Sequence, residues 1–218
     1  MTHVKVCCIQ NEEEIALAAR RGAAAVGFVS EMPSGPGVLS EEKIAALVPE
    51  VPEGVLSFLL TSATDAATVV DQVRGAGVDA VQLVDRVSAE THGSLRSELP
   101  GVTIVQVVHV SGQESVREAA RVAPRVDVLL LDSGRPDTAY RELGGTGRTH
   151  DWEASRRIRE RVDVPVWLAG GLRPGNVAEA VRTVRPHGVD VCSGLRPDGF
   201  LDEDLLSSFA EAVRGATA

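Results

Sequence analysis

Short apolar runs rich in Val, Leu and Ala recur along the chain, and a longer amphipathic segment follows each of them. Apolar runs without regular polar alternation are typical of strands that are buried on both faces of a parallel sheet. The pattern predicts eight strands, at residues 4–9, 23–30, 54–60, 79–84, 102–110, 126–131, 164–168 and 189–192. It also predicts eight helices, at residues 11–22, 40–48, 65–75, 89–98, 113–122, from 149 onward, 176–184 and 203–213.

Strands and helices therefore alternate eight times, at about 27 residues per unit, which predicts a single-domain parallel (β/α)8 TIM barrel spanning residues 1–218. Weak internal repetition supports this count, because residues 75–81, 124–129 and 186–191 open the fourth, sixth and eighth strands with similar sequences. The main alternative is a doubly wound open sheet. That fold usually carries a G-x-G-x-x-G motif after its first strand, and the motif is absent here.

The composition and the charge narrow the possible partners. A net charge of −9 and an aromatic content of only 3% argue against a nucleic-acid surface, which needs cations for phosphates and rings for base stacking. The amino terminus does not resemble a signal peptide, and no apolar run reaches the ~18 residues of a membrane span. We therefore expect a cytoplasmic protein. Its three cysteines, two of them adjacent, do not predict a disulfide framework.

Residues that could take part in catalysis or binding lie on or just after four of the predicted strands. They are Cys7 on strand one, Asp132 after strand six, Gly170 and Gly171 after strand seven, and Ser193 and Gly194 after strand eight. Each has an ordinary explanation, since a strand cysteine is usually a small core residue and glycines form tight turns. Together they fall at the end of the barrel where such folds carry their sites, and the last two loops are common phosphate-binding positions.

The segment from Arg125 to Trp152 adds a further active-site pattern. A buried strand ends at Asp132, a glycine-rich loop follows at residues 144–147, and a helix is predicted to begin near Thr149, whose hydroxyl could cap it. The order of strand, acid, glycine loop and helix is typical of an active-site edge in a parallel α/β protein.

Five segments together resemble the signature segments of the phosphoribosylanthranilate isomerase family. They are residues 5–9 (KVCCI), 130–133 (LLDS), 144–152 (GGTGRTHDW), 168–177 (LAGGLRPGNV) and 189–194 (VDVCSG). The resemblance holds in order and spacing over essentially the whole chain. It implies a (β/α)8 barrel of tryptophan biosynthesis that converts a phosphoribosylamine of anthranilate into a 1-deoxyribulose phosphate by an Amadori rearrangement, with no metal or organic cofactor.

The resemblance also implies roles for individual residues. Cys7 would be the general base and Asp132 the general acid. Substrate phosphate would bind at Gly170, Gly171, Ser193 and Gly194, and Gly145, Thr146 and His109 would make further substrate contacts. A base needs thiolate character, so we expect the pKa of Cys7 to lie below that of a free thiol. Burial should help to keep Asp132 protonated. For His109, a strand-end side chain bonded to solvent or backbone is an equally good interpretation.

The chain departs from the family pattern on the side of the mouth away from the phosphate loops. Gly37 stands where the family generally has a ligand-holding arginine, so Gly37→Arg is expected to improve binding of an anthranilate-bearing ligand. Cys8 replaces a glycine, Val84-Asp85 replaces His-Gly, and His109 replaces another basic residue. If the barrel closes, Cys8 and Cys192 lie on neighbouring strands, but a metal site would need further ligands at suitable spacing.

Three functions remain open from the sequence. The first is the isomerase itself, and the second is a barrel isomerase of the same reaction type that acts on a different phosphoribosylamine or phosphosugar. The third is a non-catalytic barrel that binds a phosphorylated ligand, against which the retained Cys7 and Asp132 argue. In each case the expected partner is a small phosphorylated molecule, and the protein is expected to be a monomer or a homodimer.

Overall fold

The computed structural model describes residues 1–32, 36–133 and 151–217. In this part of the chain, eight parallel strands pair in sequence order, and β8 pairs with β1 to close a barrel. The strands are β1 His3–Val6, β2 Ala25–Val29, β3 Leu56–Thr61, β4 Ala80–Leu83, β5 Thr103–His109, β6 Val128–Asp132, β7 Val166–Leu168 and β8 Gly188–Val191. The predicted parallel barrel is confirmed.

Eight α-helices surround the barrel in the described residues. They are α1 Glu12–Arg20, α2 Glu41–Leu47, α3 Ala66–Ala76, α4 Ala89–Glu98, α5 Gln113–Val122, α6 Trp152–Arg161, α7 Val177–Val184 and α8 Glu203–Thr217. The bounds of α4 and α5 match their predictions, whereas most strands are shorter than predicted. Apolar residues such as Ile9 and Val110 are buried just beyond the last paired residue of their strands. An apolar run therefore predicts which residues are buried better than it predicts which residues pair in the sheet.

Short polar side chains cap several of these helices. The side chains of Asn11, Ser40, Asp65 and Ser88 each accept a hydrogen bond from the backbone N–H three residues later. Each bond satisfies one of the backbone donors that the first helical turn leaves unpaired. These caps fix where the helices begin, and so where the loops at the barrel mouth end.

The predicted cap of α6 is wrong. Thr149 lies outside the described residues, and the residue that caps the helix is Asp151, whose carboxylate accepts from the N–H groups of Glu153 at 3.0 Å and Ala154 at 3.2 Å. A carboxylate satisfies two donors at once and also interacts favourably with the positive end of the helix dipole.

Two apolar clusters hold the fold together. The larger one lies between the strands and the helices, and the smaller one fills the barrel interior with residues that include Phe58, Leu130 and Trp167. Trp167 closes the amino-terminal end, where a Cβ on Gly188 would come within 2.6 Å of its ring. The carboxyl ends of the strands are left to form a site. None of the helices in the described ranges has the length and apolar character of a membrane span.

Candidate active site

A pocket opens at the carboxyl ends of the strands. Among the residues that line it are Cys7, Asp132, Gly170, Gly171, Asp190 and Ser193. The strands that carry these residues are far apart in sequence, but closure of the barrel brings β8 next to β1 and β6 next to β7. The predicted arrangement of a thiol, a carboxyl group and two glycine-containing loops on one rim is therefore present.

Cys7 follows the last residue of β1, and its backbone is held on both sides. Its N–H donates to the carbonyl of Val191 at 2.8 Å, and its carbonyl accepts from Nη2 of Arg196 at 3.3 Å. Burial raises the pKa of the Cys7 thiol to about 11, although the positive charge of Lys5 acts in the opposite direction. The prediction of a pKa below that of a free thiol is wrong, because the sequence does not show how completely this side chain is removed from water.

Asp132 is the last residue of β6, and β5 fixes its position. Its carbonyl accepts from the N–H of Val110 at 2.8 Å, and Oδ1 accepts from the N–H of Ser133 at 2.6 Å. Burial raises the pKa of the Asp132 carboxyl, and the charge of nearby Asp190 adds to this effect, whereas His109 opposes it. The direction of the shift agrees with the prediction and favours the protonated acid.

The loop after β7 needs glycine for two reasons. Gly170 has a φ of +87°, and a Cβ there would lie 2.9 Å from the Ser133 nitrogen and 3.0 Å from Oδ1 of Asp132. Glycine thus lets the loop pack against the carboxyl group. Asn176 holds the next turn, donating from Nδ2 to the carbonyl of Gly171 at 3.0 Å and accepting at Oδ1 from Arg173 N–H at 2.8 Å. The sequence alone did not indicate this role of Asn176.

The loop after β8 forms a 3₁₀ turn, Ser193–Leu195. A Cβ on Gly194 would collide with the carbonyl oxygen of Leu172, so the loops after β7 and β8 are in direct contact. No backbone carbonyl of the described residues accepts from the N–H groups of Gly171, Ser193 or Gly194. Backbone donors grouped in this way are suited to an anion.

Cys8 and Cys192 form a disulfide, with their Cα atoms 6.0 Å apart. The bridge joins the chain just after β1 to the chain just after β8, so it borders the pocket beside Cys7 and Ser193. The cysteine count and spacing did not predict this bond, although the closing order of the strands places residues 8 and 192 side by side. In the described parts of the chain, no group of three or more His, Cys, Asp or Glu side chains is arranged to hold a metal ion.

A buried ion pair anchors the backbone of Cys7. The Arg196 guanidinium binds the Glu14 carboxylate through two contacts, Nη1 to Oε1 at 2.6 Å and Nη2 to Oε2 at 2.8 Å. Burial would raise the pKa of Glu14, but the bonds and the charge of Arg196 outweigh it, and the net pKa is lowered. No local sequence pattern points to this pair, because 182 positions separate the two residues.

His109 and the loop residues complete the comparison with the predicted site. The His109 ring is buried, its Nε2 lies 3.0 Å from the carbonyl oxygen of Val84, and it does not line the mouth pocket. The structure thus agrees with the interpretation in which the His109 ring bonds to the backbone. A contact between His109 and substrate stays a prediction. Gly145 and Thr146 lie outside the described residues, so their substrate contacts also stay predictions.

The fold and the mouth together define a parallel (β/α)8 barrel whose rim combines a thiol, a carboxyl group and a set of backbone donors. Within this class, the chain belongs to the N-(5′-phosphoribosyl)anthranilate (PRA) isomerase family, whose family model matches residues 4–212.

Named relatives align with this chain over nearly the full length of both proteins. The N-(5′-phosphoribosyl)anthranilate isomerase of Halobacterium salinarum is 43% identical over 221 aligned residues, which cover 100% of this chain and 97% of that protein. The crystal structure of the Thermotoga maritima isomerase is 30% identical, with a TM-score of 0.84 and coverage of 99% of this chain and 100% of that one. A crystal structure of a phosphoribosyl anthranilate isomerase with reduced 1-(o-carboxyphenylamino)-1-deoxyribulose 5-phosphate is 28% identical, with a TM-score of 0.82 and coverage of 99% and 100%.

Proposed function

We propose that this protein is a phosphoribosylanthranilate isomerase of tryptophan biosynthesis, acting by acid–base catalysis between Cys7 and Asp132. The observation that carries the proposal is that both side chains line the pocket that the loops after β7 and β8 also line. Membership of the isomerase family supports the same reaction. The substrate would be N-(5′-phosphoribosyl)anthranilate, and the product a 1-deoxyribulose phosphate that carries the anthranilate nitrogen on C1′.

The acid step opens the sugar ring. Asp132 gives its proton to the furanose oxygen as the bond from that oxygen to C1′ breaks, and the nitrogen lone pair forms a protonated Schiff base. A carboxyl group can do this only if it is protonated when substrate binds, and the raised pKa of Asp132 supports that state.

The base step moves the double bond. The thiolate of Cys7 takes the proton from C2′, and the electron pair of that bond forms the enolamine while the Schiff base nitrogen becomes neutral. The enolamine then gains a proton at C1′ from the Cys7 thiol and loses one from the C2′ hydroxyl to the Asp132 carboxylate, so the ketone forms and both groups regain their starting protonation states. Each positioned proton transfer contributes roughly 10²–10⁴-fold to such reactions.

The phosphate would bind at the junction of the loops after β7 and β8. The N–H groups of Gly171, Ser193 and Gly194 have no backbone acceptor within the described part of the chain, which supports capture of phosphate by backbone donors. Asn176 would keep the Gly171 turn in place. This arrangement needs no cluster of lysine or arginine side chains.

A second candidate is an isomerase of the same reaction type with a different aglycone. The observation that favours it is Gly37, which lacks the side chain that the family generally uses there and has no room for one beside Cys8. The phosphoribosyl half of the site would be unchanged in that case. A purely ligand-binding role is disfavoured, because it would not require an acid and a thiol on the same rim.

We further infer that residues 1–218 form one barrel domain in the cytoplasm, acting as a monomer or a homodimer on a small phosphorylated substrate.

The deciding experiment is turnover of N-(5′-phosphoribosyl)anthranilate by the purified protein, followed through the change in anthranilate fluorescence. Growth of a tryptophan auxotroph that lacks the isomerase is the matching test in cells. Turnover with rescue supports the first candidate. No turnover of this substrate, with turnover of another phosphoribosylamine, would establish the second and exclude the first.

A further inference from the structure

The barrel interior contains a buried ion pair directly below the mouth. Lys5 has no exposed surface, and its Nζ lies 3.0 Å from Oδ1 of Asp190, which is 8% exposed and lines the pocket. The two residues are register partners in the β1–β8 pairing that closes the barrel. Replacing a buried pair with apolar residues is often neutral or stabilising, so stability alone does not account for charges at this position.

The ammonium group of Lys5 also lies beside the thiol of Cys7. Residues two apart on a strand face the same side, which places both side chains in the barrel interior. Gly27 on β2 makes room for them, because a Cβ there would be 3.1 Å from the Cys7 sulfur and 3.1 Å from Lys5 Nζ. The ring of Phe58, with its centroid 5.2 Å from Nζ, further stabilises the cation.

We propose that Lys5 is a positioning residue for Cys7: its ammonium group, held in place by Asp190, stabilises the thiolate that accepts the substrate proton. The inference rests on the proposed role of Cys7 as the base. Lys5 lies beside the thiol and binds the carboxylate of Asp190, and it acts on the substrate only through Cys7.

The charges around Cys7 make this role specific to Lys5. Burial raises the pKa of Cys7, Lys5 lowers it, Asp190 raises it, and Arg196 lowers it by a smaller amount. The guanidinium of Arg196 is neutralised by two bonds to Glu14. On the β6 side of the pocket, the buried carboxyl group of Asp132, with its raised pKa, adds no cation. Lys5 is thus the main positive charge that acts on the thiol from the described residues.

Lys5 and Asp190 should therefore have opposite effects on the thiol, which separates positioning from a purely structural role. The test is alkylation of Cys7 by iodoacetamide between about pH 8 and 9.5, without reductant and quantified by mass spectrometry, since the rate follows the thiolate fraction. The other two cysteines are protected by their disulfide. Wild type is compared with Lys5→Met, Asp190→Asn, the double variant and the matched control Lys43→Met, which removes an exposed lysine on α2.

Lys5→Met should slow alkylation about tenfold for each unit by which it raises the pKa of Cys7. Asp190→Asn should accelerate alkylation, and Lys43→Met should react at the wild-type rate. Rates that move in the same direction in both site variants, or that do not move, would overturn the proposal. If Lys5→Met fails to fold, Asp190→Asn decides alone, because an unchanged or slower rate contradicts the proposal. Absence of turnover in wild type would instead refute the proposed function and leave the alkylation result standing.

Discussion

A Cβ atom on Gly37 would lie 2.8 Å from the Cβ atom of Cys8. Both residues have positive φ values, +75° for Gly37 and +62° for Cys8. The family pattern has arginine at the position of Gly37 and glycine at the position of Cys8. The two departures from this pattern therefore affect the same small space between the two residues. In this chain the side chain of Cys8, fixed by its disulfide to Cys192, fills that space.

The first prediction concerns Gly37→Arg, for which the sequence alone predicts improved binding. A side chain on a residue with this φ destabilises the folded state by about 1–3 kcal/mol, and the collision with Cys8 destabilises it further. We expect Gly37→Arg to lower the melting temperature and to leave KM for N-(5′-phosphoribosyl)anthranilate unimproved. Gly54→Arg is the matched control, because Gly54 has a φ of +87° but nothing within 4 Å of its Cβ position.

The double variant Cys8→Gly with Gly37→Arg tests the coupling itself. Removing the Cys8 side chain frees the space, and an arginine can then make a charge-assisted bond worth roughly 1.5–3 kcal/mol. Because Cys8→Gly also removes the disulfide with Cys192, the double variant is compared with Cys8→Gly alone, and KM should be lower in the double variant. A fall in KM for Gly37→Arg alone would show that the loop moves aside and that Cys8 does not restrict it.

The second prediction concerns the acid and the base. Cys7→Ser and Asp132→Asn keep the shape of each side chain, so each should lower kcat by roughly 10²-fold or more with little change in KM. Steady-state kinetics on the true substrate measure both parameters. Asp163→Asn, at an exposed acid after α6, is the control and should leave kcat unchanged. Wild-type turnover in either site variant would contradict the assigned roles.

The third prediction concerns the phosphate loop. Gly171 has a φ of +62°, and a β-branched residue there would turn its N–H away from the anion. Gly171→Val should weaken binding of inorganic phosphate by about 10–100-fold, as expected for the loss of one charge-assisted hydrogen bond. Gly175→Val, in the same loop but with open space around it, should bind phosphate like wild type. Equal affinities in both variants would place the phosphate elsewhere.

The fourth prediction concerns stability and pH. The folded pKa of Glu14 is lowered, so its ion pair with Arg196 stabilises the protein above the unfolded pKa of about 4.3 and loses this contribution as the pH falls through the folded value. At neutral pH, Glu14→Gln should lower the free energy of unfolding by about 3–5 kcal/mol, because it leaves a buried charge unpaired. Denaturant melts at pH 7 and pH 3 should show that this difference shrinks in acid. The exposed neighbour Glu13, changed to Gln, should show no such difference.

The sequence predicted the barrel because strands buried on both faces and capped amphipathic helices leave local patterns. It predicted the rim residues because closure places the ends of β1, β6, β7 and β8 together. It did not predict Lys5 with Asp190, or Glu14 with Arg196, because these contacts join positions 185 and 182 residues apart across the closing seam. The pKa of Cys7 was also mispredicted, because desolvation depends on packing that no local pattern records.

The last prediction concerns the disulfide that spans the same seam. Cys8 and Cys192 are separated by 184 positions, so their bond restricts the unfolded chain strongly and should stabilise the fold by about 2–4 kcal/mol. Reductant should therefore lower the melting temperature of wild type. Cys192→Ser, which cannot form the bond, should melt at the temperature of the reduced wild type and be insensitive to reductant. The bond borders the loop that carries Ser193, so reduction should also raise KM for the phosphorylated substrate while Cys7 and Asp132 keep kcat nearly constant. A melting temperature that reductant does not change would mean that the two sulfurs are not bonded in solution.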